Sequence, residues 1–179
     1  MDCLRDGDMR AKISALRITR IRLKNWRSLP GADLELGRRV LVAGPAASGK
    51  TNLLDAFRFL AESACSGLGF ERAVAARGGL SRLRCLAARQ DSEIGLAIQV
   101  GDQQNPSAWE YEIYFNQEDR RPAEIRRERL AHLGEDIVER PDEADRRRPE
   151  RLAYCVLEPL LRPGEAREFI DFLGTIRYL

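Results

Sequence analysis

From Ile13 to Lys24 apolar and charged positions interleave, with Leu16 and Ile18 on one parity and Ile21 and Leu23 on the other. That pattern predicts a strand broken by an irregularity. Pro30-Gly31 marks a turn, after which Ala32, Leu34 and Leu36 alternate with Asp33 and Glu35 as a second short strand. Val40-Leu41-Val42-Ala43 differs in kind. Four consecutive apolar, β-prone residues predict a strand covered on both faces in the middle of a sheet. Beyond a glycine-bearing loop, Leu53, Leu54, Phe57, Leu60, Ala61 and Ala64 recur at helical spacing. They predict an amphipathic helix from Lys50 to about Ala64, ended by Gly67 and Gly69.

Ile94, Leu96, Ile98 and Val100 alternate cleanly, as do Trp109, Tyr111, Ile113 and Phe115, and the turn-like stretch 101–107 between them completes a β-hairpin signature. An extended segment from Ala123 to Leu130, a Gly134 turn and Ile137-Val138 continue the meander, with a helix over Glu124 to Leu133 as the alternative. Glu139 to Arg151 is nearly all charged or proline and is expected to be an exposed loop. Phe169, Ile170 and Leu173 predict a last helix after Pro163-Gly164. Residues 1–12 lack periodicity and are expected to form a flexible tail, leaving 13–179 as the folded unit with an antiparallel β-subdomain at about 90–140.

Composition narrows the classes. The chain has 179 residues, 44% hydrophobic and 32% charged, as in an ordinary globular protein. No apolar run approaches the roughly 18 residues of a membrane span, and the polar start lacks a signal-peptide core, so a cytoplasmic protein without membrane contact is expected. Lys+Arg of 30 against Asp+Glu of 28 is too balanced to announce nucleic acid by itself. Lys12, Lys24 and Lys50 are the only lysines, so each is a candidate for a task arginine does not perform. Cys3, Cys65, Cys85 and Cys155 form no C-x-x-C pair and are expected to be reduced and partly buried. His132 is the only histidine, which excludes His-pair zinc sites and leaves Ser/His or Cys/His nucleophile systems little to draw on. It is expected in a turn.

The chemistry concentrates in Gly44-Pro45-Ala46-Ala47-Ser48-Gly49-Lys50-Thr51, which fits the phosphate-binding pattern G-x-x-x-x-G-K-[ST]. Glycines allow successive backbone N–H groups to converge on the β- and γ-phosphates of ATP, and the positive end of the following helix adds to the same concavity. Lys50 brings a compact cationic head to those phosphates, where a planar guanidinium would fit poorly. Thr51 offers a hydroxyl to Mg²⁺. A strand signal precedes the loop and a helix signal follows it, the setting such a motif requires.

Two stretches then carry a family resemblance: Ile18-Thr19-Arg20-Ile21-Arg22-Leu23-Lys24-Asn25-Trp26-Arg27-Ser28, and Val42-Ala43 through the loop to Asn52-Leu53-Leu54-Asp55-Ala56. Together they resemble the N-terminal lobe of ABC-type, AAA-like ATPases of the SMC/RecF/OLD kind, with an "I-x-x-L-x-N-F-R-S" opening and a "G-x-N-x-S-G-K-S/T-N-x-L-D-A" loop. The resemblance implies an α/β P-loop NTPase fold with a mixed core sheet plus an antiparallel β-subdomain. It also implies an ATP-driven dimerising head, often acting on DNA in recombination, chromosome maintenance or phage defence. It adds Asn52 to the ATP-binding residues and places Arg27 beside the nucleotide, with a surface role as the alternative. Near the nucleotide it suggests a tight approach at Gly78-Gly79 and a glutamine for which Gln90 is the candidate. Ala46 stands where many relatives carry asparagine.

The larger departure is absence. Such heads need a serine-glycine-glycine signature and an apolar run ending in Asp-Glu. Tyr154-Cys155-Val156-Leu157-Glu158-Pro159 reproduces the run and the glutamate, but Leu157 occupies the metal-binding position. Glu158 is thus a weak candidate for the catalytic base. The expectation is an N-terminal lobe, incomplete at its C-terminus, that binds ATP and Mg²⁺ but hydrolyses poorly until a homodimer partner or a second chain completes the site. Two alternatives stay open: a self-sufficient small P-loop phosphotransferase, and an arginine-rich DNA-binding module for which Arg146-Arg147-Arg148 is the local signal. Trp26 and Trp109 are expected to be packing residues, and Asn52 and Asp55 to cap and solvate their helix if they do nothing else.

Overall fold

A computed structural model describes residues 13, 15–65, 68–88, 91–117 and 122–177. The expected tail, Gly67 and Gln90 lie outside the described residues. β1 (Arg17–Trp26) and β2 (Leu29–Glu35) form an antiparallel hairpin in which Ile21 faces Leu34 and Trp26 faces Leu29. The expected irregularity is a register shift between Ile18 and Arg20. It lies at Thr19, whose hydroxyl donates to the carbonyls of Gln99 at 3.2 Å or Pro106 at 2.6 Å. β3 (Ile94–Gly101) pairs with the other edge of β1, and β4 (Trp109–Asn116), β5 (Glu124–His132) and β6 (Glu135–Arg140) follow as a meander. The order is β2-β1-β3-β4-β5-β6, and every pairing is antiparallel.

One face of this sheet collects Ile21 and Leu23, Leu96 and Ile98, and Tyr111, Ile113 and Phe115, all buried. Against it pack α1 (Lys50–Ala64), α2 (Gly69–Ala75) and α5 (Arg167–Leu173), while α3 (Leu80–Leu83) and α4 (Glu143–Arg147) are short connecting helices. Phe59 of α1 sits at the centre, with ring centroids 5.2 Å from Trp26, 5.8 Å from Phe115 and 6.2 Å from Phe70. Trp109 stacks on His132 at 3.9 Å and on Phe169 at 5.5 Å, so both tryptophans are packing residues as expected, and His132 ends β5 rather than lying in a turn. The outer face is a lattice of exposed ion pairs such as Arg20–Asp33 and Arg22–Glu112, each contributing little in water. Tyr114 on that face covers Gly95, where a Cβ would stand 2.5 Å from the ring. Gly95→Ala is therefore expected to cost about 1–3 kcal/mol by overpacking, read as a lower urea midpoint.

Three expectations are corrected. Val40-Leu41-Val42-Ala43 is not a buried central strand: it lies outside the sheet, and Leu41 is 92% exposed, Val40 52% and Val42 37%. The place beside β1 is taken by β3, and no described strand runs next to residues 40–43. Leu41→Asp should then leave the thermal midpoint of this chain nearly unchanged, within the roughly 0.5 kcal/mol usual for surface substitutions; a drop of many degrees would mean that Leu41 is buried. Second, among the described residues there is no mixed core sheet with a separate β-subdomain at about 90–140. β1 and β2 continue the same antiparallel sheet as β3 to β6, because β1 pairs with β3 from Arg17 to Lys24. Third, 139–151 is not simply an exposed loop.

Arg140 is 3% exposed and donates through Nε and Nη2 to both oxygens of Asp145, at 2.8 and 2.9 Å, and through Nη1 to Glu128 at 2.9 Å. Glu128, fully buried on β5, also accepts from the Tyr111 hydroxyl at 2.7 Å and the Val156 N–H at 2.9 Å. Asp142 and Asp145 close a capping box at the start of α4. The charge run is hydrophilic because it carries a buried ionic clasp as well as a solvated surface. Burial pushes the Glu128 carboxyl up to about 7, against the opposing pull of its three donors. A native acid with a raised pKa contributes stability below the unfolded value near 4.5 and loses it as pH rises through 7. Asp145 is shifted the other way by Arg140, despite its burial, so its own loss falls below the ordinary 3.8, outside that window. Unfolding free energy should fall between about pH 4.5 and 7, and the fall should flatten in Glu128→Gln, measured by urea unfolding across that range.

Candidate nucleotide site

α1 begins at Lys50 with Gly49 as its N-cap, and no side chain caps it. The first N–H groups of a 15-residue helix are thus left facing the loop, the arrangement that receives an anion. Gly49 has φ 93°, and a Cβ there would stand 2.8 Å from Leu29 Cδ2 and 3.2 Å from Ser28 Oγ. Only glycine fits this close approach of loop and β1–β2 turn. Ala47 takes a left-handed φ of 61°, which bends the loop back on itself. Lys50 Nζ donates to the carbonyls of Gly44 at 2.8 Å and Pro45 at 2.6 Å, with Ser48 Oγ at 3.3 Å. Its ammonium is therefore held inside the loop. Pro45, Ala46, Ala47, Ser48 and Thr51 are exposed, so the Thr51 hydroxyl is open to solvent at the start of the helix.

The two stretches that carry the family resemblance meet here. Asn25, buried, and Arg27 both have left-handed φ, 55° and 52°, and turn the end of β1 onto α1. Asn52 donates from Nδ2 to Ser28 Oγ at 2.6 Å, and its carbonyl accepts from Trp26 Nε1 at 2.9 Å. Arg27 Nε donates to Asp55 Oδ2 at 2.7 Å. Asp55 also receives Arg77 Nε at 3.1 Å, and Arg77, 8% exposed, bonds Glu62 through Nη1 and lies 5.2 Å from the centre of the Phe59 ring. Asn52 and Asp55 therefore do more than cap and solvate α1: they tie Arg27 and Ser28 to the helix that starts at the loop. The Arg77–Asp55–Glu62 cluster was not foreseen from sequence. Its one legible signal is the seven-residue spacing of Asp55 and Glu62, which puts two acids on one face of α1.

Other candidates fall elsewhere. Gly78 and Gly79, both with positive φ, end α2 and lead into α3, with Gly79 N–H bonded to the Val74 carbonyl. Cys155-Val156-Leu157 is a buried turn rather than a strand end. Glu158 accepts from the N–H groups of Phe70 at 3.1 Å and Cys155 at 3.0 Å, and its carboxylate fills the place where a Cβ at Gly69 would stand. Its described hydrogen bonds go to these N–H groups and none to the loop from Gly44 to Thr51. In the arginine run, Arg147 pairs with Glu143, and Arg151 lies beside Asp145. No group of His, Cys, Asp and Glu suited to a metal ion occurs among the described residues, and none of their helices is long and apolar enough to cross a membrane.

A family model described as "AAA domain, putative AbiEii toxin, Type IV TA system" matches residues 40–159, more than half of the chain. The chain belongs to this AAA family. The match begins at the exposed apolar run, takes in the whole loop and α1, and ends just past Glu158. The protein is accordingly an AAA-type, P-loop ATPase-like domain of the nucleotide-binding class. No curated protein matches this chain significantly. Among solved structures, one from "Structural biochemistry of ATP-driven dimerization and DNA stimulated activation of SMC ATPases" aligns at 18% identity and a TM-score of 0.42, covering 68% of this chain and 72% of that one.

Proposed function

We propose that this AAA domain is the ATP-binding lobe of an SMC/RecF/OLD-like, ABC-type ATPase. The observation that carries the reading is the uncapped start of α1 behind Gly49 and Lys50. There the N–H groups of the loop and first helical turn, from Gly44 to Asn52, would hold the β- and γ-phosphates. Lys50 would exchange its present carbonyl partners for phosphate oxygens, and Thr51 would give its hydroxyl to Mg²⁺. Bound Mg²⁺ neutralises charge on the phosphates and orients them for attack. Arg27, held by Asp55, is the flanking cation.

This lobe is taken to be residues 13–179, completed by further protein from a second copy or another chain. Supporting that reading, Val40 to Ala43 has the composition of a strand covered on both faces and yet stands exposed outside the sheet. No aspartate-ended strand accompanies the loop among the described residues, so turnover by this chain alone should be slow. ATP-driven dimerisation and a DNA-linked role follow from the resemblance and are part of the proposal. The test combines ATP–Mg²⁺ binding with phosphate release. Binding with little release is expected, whereas sustained turnover by the pure chain would favour a self-sufficient phosphotransferase. Light scattering with and without ATP tests dimerisation.

A further inference from the structure

A cavity of about 640 Å³ lies between the β1–β2 turn, Asn52 of α1 and the segment from Ser81 to Ala87. Its wall carries three guanidinium groups, Arg27, Arg82 and Arg84, together with the Ser28 and Ser81 hydroxyls, and none of its lining residues is acidic. Arg82 and Arg84 are exposed, and neither makes an ion pair or side-chain hydrogen bond with any described residue. On the sheet's outer face, by contrast, Arg20, Arg22 and Lys24 are matched by carboxylates. Arg27 gives Asp55 only its Nε among the described residues, leaving its terminal nitrogens uncommitted.

The positions are built by the backbone. Arg82 sits on α3, its stem lying where a side chain at Gly78 would otherwise stand, with Cδ 3.0 Å from that Cβ position. Arg84 is fixed by a backbone bridge to Trp26, and Arg27 N–H bonds the Leu83 carbonyl, so the three cations are carried on one hydrogen-bonded junction. Leu86, 84% exposed, forms an apolar part of the same wall. Guanidinium forks lining one cavity with hydroxyl donors and no competing carboxylate are suited to phosphate oxygens, and a neighbouring apolar wall suits an attached organic group.

We propose that this cavity binds a phosphate ester distinct from the nucleotide on the loop, with Arg82 and Arg84 as its principal cations. The phosphate comes from either of two sources: a single-stranded nucleic acid backbone or a small free phosphate compound. The inference does not depend on ATP occupying the loop.

The test uses Lys50→Ala protein, so that the loop does not contribute, with two probes: a fluorescein-labelled oligothymidylate followed by anisotropy, and inorganic pyrophosphate followed by calorimetry. An Arg82→Gln/Arg84→Gln double variant on that background should lose about tenfold or more in affinity for the probe that binds. For the oligonucleotide, the slope of log affinity against log salt should also fall by about 1.4. Oligonucleotide binding lost in the double variant assigns the nucleic acid source; pyrophosphate binding lost there, with no oligonucleotide binding, assigns the small one. Both side chains are exposed, so the thermal midpoint should be unchanged, which separates loss of binding from loss of fold. ATP–Mg²⁺ affinity of the double variant with Lys50 intact should be unchanged. Binding of both probes to the double variant as tightly as to its parent, or binding of neither probe to the parent, would overturn the proposal.

Discussion

Lys50→Ala is expected to weaken ATP–Mg²⁺ binding by about 10²–10³-fold, the equivalent of roughly 3–4 kcal/mol, and so to abolish it at ordinary protein concentrations. The size follows from what the side chain is placed to do. Its ammonium is drawn into the loop by the Gly44 and Pro45 carbonyls, where three donors lie against the helix N-terminus. Without it, the backbone N–H groups remain but the phosphates lose their nearest full positive charge. Lys50→Arg should restore little, because the planar fork does not fit a cradle now spanned by one tetrahedral head. The substitution should leave unfolding free energy within about 0.5 kcal/mol, since the bonds it removes are at an exposed site. Calorimetric titration with ATP–Mg²⁺ reads the first effect and urea unfolding the second. Unchanged binding in Lys50→Ala would remove the loop from the account.

Arg140→Ala should have the largest effect on folding. Glu128 and Asp145 have fully buried side chains, and Arg140 is the cation that reaches both. Deleting it leaves the Asp145 carboxylate and the Glu128 carboxyl without their cation in a dry site, a change that costs about 3–5 kcal/mol where a buried pair is broken. Total stability for a domain of this kind is about 5–15 kcal/mol, so much of the chain would be unfolded at moderate urea. The loss extends to α4 and to the segment after it, because Arg140 also donates to the Arg151 and Tyr154 carbonyls. Arg140→Lys should rescue only partly, having no fork to engage Asp145 and Glu128 at once. Arg140→Ala with Glu128→Gln should be more stable than Arg140→Ala alone, since the variant carboxamide has no charge to bury. A shift of under 1 kcal/mol in Arg140→Ala would show that the clasp is wet.

The elements with strong period were legible from the sequence. α1 runs from Lys50 to Ala64 as its apolar spacing requires, and β3 and β4 begin at Ile94 and Trp109 because their alternation buries one side chain in two or more against α1 and α5. The turn at Gly134 separated β5 from β6, and the extended reading of 124–130 held over the helical one because its inward residues Ile125 and Leu130 pair across β4. Two features were not legible. An unbroken apolar run such as Val40 to Ala43 states that a strand needs cover on both faces, and says nothing of whether the cover lies within the described residues. A charged run such as 139–151 hides its buried members, because Arg140 and Asp145 neutralise each other only in three dimensions. At the site, the helix start at Lys50 and the positive φ of Gly49 agree with the sequence pattern, which specifies backbone shape. The contacts of Arg27 with Asp55, and of Ser28 with Asn52, were not legible, because they join β1 to α1 across 24 to 28 positions and depend on the left-handed turn at Asn25 and Arg27.

The most direct test of the central claim is an isothermal titration of the unaltered protein with ATP in the presence of Mg²⁺. Saturable binding at one site per chain, lost in Lys50→Ala and kept in Arg82→Gln/Arg84→Gln, is the predicted result. No heat of binding from a protein whose unfolding transition is cooperative would contradict it.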